Sequence, residues 1–444
     1  MQKISISDKF TFGRLLRFAV PSIVMVIFTS LYGIVDGLFV SNVTGDAAFA
    51  AINLFLPSFY LLGSVGFLLG SGGCALIAKL LGERNEQTAR RGFAGLTVIT
   101  AATGVIFTAV VMPFLPQMSK ALGADENVMP YIVPYGYIML GGLTAFILQT
   151  YFQYYFAVAD RPKLGLAITV GAGATNILGD FLLVYVAKWG VIGAAAATVA
   201  GECVGAFVPL AYFFYKKNKT LFFEKPSFDL RAIAKVCGNG SSELVTNISV
   251  SVVSMLYNFQ LLKYIGNDGV VAYGTIMYVS FIFIGTFLGF SVGTAPIIGY
   301  NYGAKNNAEL KNVFFKSLTF YAAAALILTG LAEALAKPLA YIFVSYDAEL
   351  LELTTRAIRI FSFSFLVSGF NIYASAFFTA LNNGIISAVI SVSRTLIFQV
   401  GAIFVMPLIA GVDGIWSATI VAEALTLAVS ATFAIAMRRR YGYL

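Results

Sequence analysis

Asp180 lies within AITVGAGATNILGDFLLVYV, a run long enough to cross a bilayer and otherwise free of charge. An ionised carboxylate at the centre of a membrane helix costs roughly 2.5–3.5 kcal/mol on insertion scales, so it must face other helices or a watery cavity. Asn176 is one helical turn before it, and Asp36 in an earlier apolar run has Tyr32 at the same i,i+4 spacing. A carboxylate flanked by amide and hydroxyl oxygens suits a small hard cation, and a carboxylate withdrawn from water also holds a proton more readily. The chemistry expected at these four residues is reversible binding of H+ or Na+. The position 221 residues after Asp180, in a matching run of the second half, is Gly401.

Other acids in apolar runs admit more ordinary readings. Glu333 precedes Lys337 by four residues, and a local ion pair accounts for it. Glu243 follows a Gly-Ser-Ser run, and Arg394, the one basic residue deep in a span, is its expected partner. Glu202 and Glu423 recur at equivalent places of a repeat and read as structural.

The absence of histidine removes much catalytic chemistry. Gly289, Ser291 and Gly293 match G-x-S-x-G, yet without His no ordinary Ser-His-Asp triad can form, and HExxH zinc sites are excluded. Gly285, Gly289 and Gly293 instead repeat every four residues, as do Gly66 and Gly70, the small-xxx-small spacing of close helix contacts. No Gly-Lys-Ser or Gly-Lys-Thr is present, so no P-loop exists and the energy for work must come from an ion gradient or a partner subunit, although no ATPase subunit is expected. Cys74, Cys203 and Cys237 have no metal spacing and read as packing residues.

These residues must be held by membrane helices. With 59% hydrophobic and 11% charged residues over 444 positions, the chain is an all-α polytopic membrane protein. Twelve apolar segments run near 15–40, 47–78, 92–116, 128–158, 164–187, 190–215, 232–263, 269–300, 313–336, 350–380, 385–409 and 412–436. The net charge of +8 records topology: 22 of the 29 Lys and Arg fall at one set of segment ends and 6 at the other. The positive-inside rule then puts both termini in the cytoplasm, and no nucleic-acid footprint is implied.

Sliding the chain on itself by 221 positions aligns GVIGAAAATVAGECVGAFV (190–208) with GVDGIWSATIVAEALTLAV (411–429), identical at seven of 19 positions including the pairs Thr198/Thr419 and Glu202/Glu423. A looser match places 70–85 over 293–306 with a two-residue gap. Two six-helix lobes follow, 1–215 and 232–444, joined by a cytoplasmic linker at 216–231 and related by a pseudo-two-fold axis along the membrane normal.

Pro21 fifteen residues before Asp36, ATNILGD (174–180), GVIGAAAAT (190–198) and above all PIIGYNYGAKN (296–306) are strings along which the whole chain resembles the multidrug and toxic compound extrusion (MATE) family. The resemblance implies a monomeric antiporter of the bacterial inner membrane that exports organic cations and drugs in exchange for H+ or Na+, with no further cofactor, by alternating access of its lobes. It maps the family's N-lobe ion site onto Asp36, Asn176, Asp180 and Thr198, with Tyr32 and Tyr135 as neighbouring hydroxyls. It also makes Pro21 the point where the first helix bends. In a C-lobe site described for some members, Glu243 corresponds to an acid, but the second acid is missing and Asn371 and Tyr373 stand nearby instead; a C-lobe polar site would comprise Glu243, Asn371, Tyr373 and Arg394. For flat organic cations an aromatic and thioether lining is expected. Met25, Phe28, Tyr151, Phe152, Gln153 and Tyr155 are its candidates as a group. The competing reading within the superfamily is a lipid-linked sugar flippase, which needs a more basic cavity. A membrane-embedded enzyme is disfavoured by the missing His, and a non-transporting receptor would have no use for Asp36 and Asp180.

Overall fold

The structure, a computed structural model, describes residues 4–43, 46–215 and 220–443, excepting the side chains of 32–43 and 46. Long apolar sequences make long helices, because inside a bilayer every backbone donor and acceptor must be satisfied within its own segment. The first lobe contains α1 (Phe12–Val43), α2 (Asp46–Gly82), α3 (Glu86–Val111), a short α4 (Leu115–Ala121), α5 (Met129–Val158), α6 (Pro162–Gly179) and α7 (Gly190–Phe214). The second contains α8 (Leu230–Tyr264), α9 (Asn267–Gly303), α10 (Asn307–Val344), α11 (Ala348–Ser362), α12 (Phe365–Ala380), α13 (Gly384–Val392) and α14 (Gln399–Tyr441). Among the described residues there is no strand.

Twelve crossings emerge once two details are resolved. The segment expected at 350–380 is not one rod: α11 and α12 meet at a 48° bend. Conversely the last two expected crossings form one continuous run, Gly384–Tyr441, from α13 through α14, broken at Ala410 and Gly411, where the helical torsions are lost. Gly411 has φ +57°, and Gly190, 221 residues earlier, has φ +56° at the start of α7. Both repeats thus use the one residue that enters left-handed backbone without a Cβ penalty to begin their sixth crossing.

The repeat is visible in the caps and in the contact between lobes. Asn85 and Asn306 cap α3 and α10 in the same way, each side chain accepting an N–H three residues on. At Gly82 a Cβ would stand 2.0 Å from the Tyr300 carbonyl oxygen, and at Gly303 one would stand 2.1 Å from that of Lys79. Each glycine presses on the residue three before its own counterpart, so α2 and α9 cross on the pseudo-two-fold axis.

The lobes adhere at the end where the basic residues gather. Gly289 and Gly293 of α9 lie against Ile23 and Ala19 of α1, while Gly72 of α2 and Gly240 of α8 press on the Val236 and Leu68 carbonyls. These sites lie in the halves of their helices nearer that end. Toward the other end the N-lobe has a separate core of Ala48, Ile52, Phe55, Phe59, Tyr135, Val184, Val191 and Ala195, with no C-lobe member among its buried residues. Gly289 and Gly293 therefore seal the lobes rather than build a hydrolase elbow, while Gly66 and Gly70 draw α2 against α5 within the N-lobe.

Candidate functional site

α6 does not end as an ordinary α-helix. At Asp180 it widens into a π-helical segment, Asp180–Val186, the kind of local expansion that re-aims side chains and recurs at functional sites. Small residues draw α7 against it: a Cβ at Gly179 would be 2.7 Å from that of Ala197, and one at Gly201 would be 2.7 Å from the Ala172 carbonyl oxygen. α1 packs along both α6 and its π-helical continuation.

That packing buries Asp180 completely and Asn176 almost so, at 0% and 2% exposure. Asn176 Nδ2 donates to Thr198 Oγ1 at 3.4 Å, and Thr198 Oγ1 donates to the Ala194 carbonyl at 3.0 Å. Asn176 Oδ1 is buried and receives no donor among the described residues, with the amide's orientation set by its donor to Thr198. A buried acceptor left in that state is costly, and a cation held beside Asp180 would satisfy it. Tyr135 is buried in the cluster that contains Val184 and Ala194, each one turn from Asp180 or Thr198. Asp36 and Tyr32 belong to α1 by sequence, but their side chains lie outside the described residues.

The second lobe builds a different object at the related place. Tyr257 of α8, Gln399 at the start of α14 and Thr419 form a closed triangle: 2.7 Å between the two hydroxyls, 2.9 Å from Gln399 Nε2 to Tyr257 Oη, and 3.0 Å from Gln399 Nε2 to Thr419 Oγ1. The amide-to-threonine bond repeats that of Asn176 and Thr198, but no acid takes part. Gly401 is exposed, with open space around its Cα. The residue one turn after Gln399 is Ile403, fully buried as Asp180 is.

The remaining C-lobe candidates divide. Arg394 sits in a second π-helical segment, Ser393–Phe398, and pairs with Glu423, not with Glu243 as expected: its Nε and Nη2 stand 2.8 and 2.6 Å from Glu423 Oε1. Asn371 completes this group, donating to Glu423 Oε2 at 2.7 Å and accepting from Ser430 at 2.9 Å. A carboxylate so fully engaged is an internal ion pair rather than an open ligand. Tyr373 lies apart, against the rings of Phe314, Tyr321 and Phe377. Glu243 is half-buried on α8. Glu333 accepts from Ser362 Oγ at 2.7 Å and forms no ion pair with Lys337.

Of the expected cavity lining, Tyr151, Phe152 and Tyr155 are wholly buried among Phe93, Phe213 and one another, and Met25 is buried too. In this conformation they are packing residues. Phe28 and Gln153 are half-buried. Neither the π-helical segments nor the Tyr257 triangle was foreseen. The only signal for the triangle was the pairing of Thr198 with Thr419.

A family model described as MatE matches the chain twice, over residues 21–182 and 244–405, two stretches of equal length. Gln399 donates to Thr419 as Asn176 donates to Thr198, and Ile403 follows Gln399 by the same four residues that separate Asp180 from Asn176, so by this hydrogen bond Ile403, and not Gly401, takes the place of Asp180. The chain is similar to the multidrug export protein MepA of Staphylococcus haemolyticus, 22% identical with 97% of this chain and 94% of that protein covered. MepA of Staphylococcus aureus is 21% identical over 93% of this chain and 91% of its own length. Among solved structures, a MATE in complex with MaL6 superposes with a TM-score of 0.93 at 20% identity, covering 98% of both chains. An outward-facing multidrug resistance MATE family transporter of the MOP superfamily gives 0.92, also at 20% identity and 98% of both chains.

Proposed function

The chain belongs to the MatE family, and on that premise we propose that it is an antiporter exporting organic cations in exchange for H+ or Na+, coupled through the acids of its N-lobe alone. The observation that carries this reading is the buried pair Asp180 and Asn176, whose amide oxygen receives no donor among the described residues, set against a C-lobe counterpart built from Tyr257, Gln399 and Thr419. Ionised Asp36 and Asp180 attract a cationic substrate into the cleft. Loading of H+ or Na+ cancels that attraction, lets α1 bend at Pro21 where its helix lacks a backbone donor, and releases the substrate. Reciprocity then requires substrate to weaken ion binding by the same factor.

Organic cations as substrates are supported by the relatives, which are named multidrug export proteins. The contact of the lobes at the basic end supports an outward-open state. The sorting of Lys and Arg supports cytoplasmic termini in a bacterial inner membrane, with lobes of 1–215 and 232–444 and a linker at 216–231. A pyrophosphate-carrying flippase is disfavoured because Arg394 is already neutralised by Glu423. Ethidium-driven release of H+ or Na+ from proteoliposomes, run with and without Na+, tests the reading and identifies the ion. Absence of counter-flux under every ionic condition contradicts it.

A further inference from the structure

The segment before α1 spans both lobes at the basic end and is gripped by a buried carboxylate from each. On the N-lobe side Asp160, in the turn between α5 and α6, accepts the Ile6 N–H at 2.7 Å and the Ser5 hydroxyl at 3.0 Å. On the C-lobe side Glu309 of α10 accepts the Phe10 N–H at 2.8 Å, while Asn312 and Lys316 donate to the Phe10 carbonyl at 2.9 and 2.6 Å. Ile6 and Phe10 are 2% exposed, and Asp160 and Glu309 are 7% exposed. A turn between them is held by Asp8, which accepts the Ser5 N–H and pairs with Arg14, both at 3.1 Å.

Glu309 marks this as more than a tethered terminus. It stands three residues after the cap Asn306, where a capping-box Glu would reach back to the cap N–H. That N–H instead bonds the Asn301 carbonyl at 2.9 Å, and the Glu309 carboxylate is turned to Phe10 and Asn312. The equivalent position after Asn85 in the first lobe is Thr88, which is exposed. The grip therefore belongs to one repeat only.

We propose that residues 5–10 form a latch across the basic end, and that Glu309 and Asp160 are gating residues whose grip on Phe10 and Ile6 sets how readily the lobes part there during transport. The glycine contact of α1 with α9, at Ala19 and Ile23, follows this strap along α1, so it cannot open by rocking while both carboxylates hold. An alternating-access cycle must release one grip. The Phe10 grip joins the two lobes directly through the start of α1, and its loss is the step required.

The test uses the full chain in nanodiscs, with Cys74, Cys203 and Cys237 replaced and spin labels at Gln87 and Ala308. Both positions are exposed, at the starts of α3 and α10 on opposite lobes. Pulsed dipolar spectroscopy reads the separation of the basic ends. Removing hydrogen bonds to a charged acceptor is expected to raise the wide-separation population about tenfold or more in Glu309→Ala, with a similar rise in Asp160→Ala. Glu309→Gln keeps an acceptor oxygen for Phe10 and gives a smaller rise. It decides the matter should Glu309→Ala fail to fold, no rise counting against the proposal. A fall in Tm with the parent's distance distribution, across pH and Na+, overturns the latch and leaves these residues a purely structural role.

Discussion

The two lobes place the same hydrogen bond, an amide donating to a threonine, at the same repeat position and surround it differently. In the N-lobe the amide oxygen of Asn176 receives no donor among the described residues and lies one turn from the buried Asp180. In the C-lobe Gln399 is engaged by both Tyr257 and Thr419, and Ile403 stands where the acid would be. An open donor set beside a charge can exchange a cation, whereas a neutral closed one only fastens helices. The C-lobe does keep a charged group, Arg394 with Glu423, but it brings its own counter-ion. Duplication thus preserved the scaffold, while the chemistry diverged side chain by side chain.

The sharpest way to break this comparison is Asp36→Asn. It is expected to reduce ion-driven export of a fluorescent cation from vesicles to background while leaving thermal stability near the parent's. Export at the parent rate would remove the acids from the mechanism. Next in size, Arg394→Met strands Glu423 and should lower unfolding stability by about 3–5 kcal/mol, as loss of one partner of a buried pair does. The double substitution Arg394→Met with Glu423→Leu should recover most of it. Chemical denaturation in detergent reads both, and a mild single substitution would mean the pair is solvated.

The seal the lobes share offers a third comparison. A Cβ at Gly289 would be 2.4 Å from Ile23 Cα, whereas one at Gly285 meets nothing closer than 3.5 Å. Gly289→Ala should hold the lobes apart at the basic end and slow export, and Gly285→Ala should pass unnoticed. Equal effects in the same flux assay would show that the contact is not a seal. The smallest effect is expected of Tyr257→Phe, which loses a hydroxyl worth about 1 kcal/mol in the triangle. Its export should show unchanged dependence on pH and Na+; an altered dependence would give the C-lobe a share in coupling.

Much of this was legible in the residues. Twelve apolar runs and their loop charges follow from hydropathy alone, and Asn176 and Asp180 could be joined because i,i+4 spacing fixes them on one helical face. Thr198 and Tyr135 needed the family resemblance, since α7 and α5 are brought to α6 by packing that no local pattern encodes. The Asp180 counterpart was misplaced at Gly401 because the strongest repeat match, at 190–208, has a spacing two residues shorter than that which relates α6 to its partner helix. The Glu243 and Arg394 pair was inferred from scarcity of partners, yet Glu423 lies nearer in the fold. Buried aromatics such as Tyr151 and Phe152 have the composition of a drug cavity and of a core alike, and only burial separates the two.

Cation binding measured directly on the purified protein tests the asymmetry most closely. Radiolabelled Na+ binding and substrate-induced proton release should be compared in the parent, in Asp180→Asn and in the C-lobe variant Gln399→Leu with Thr419→Val. The account predicts that whichever ion the parent binds disappears in Asp180→Asn and persists in the C-lobe variant. Ion binding that survives Asp180→Asn, or vanishes with the C-lobe variant while its fold is intact, would contradict it.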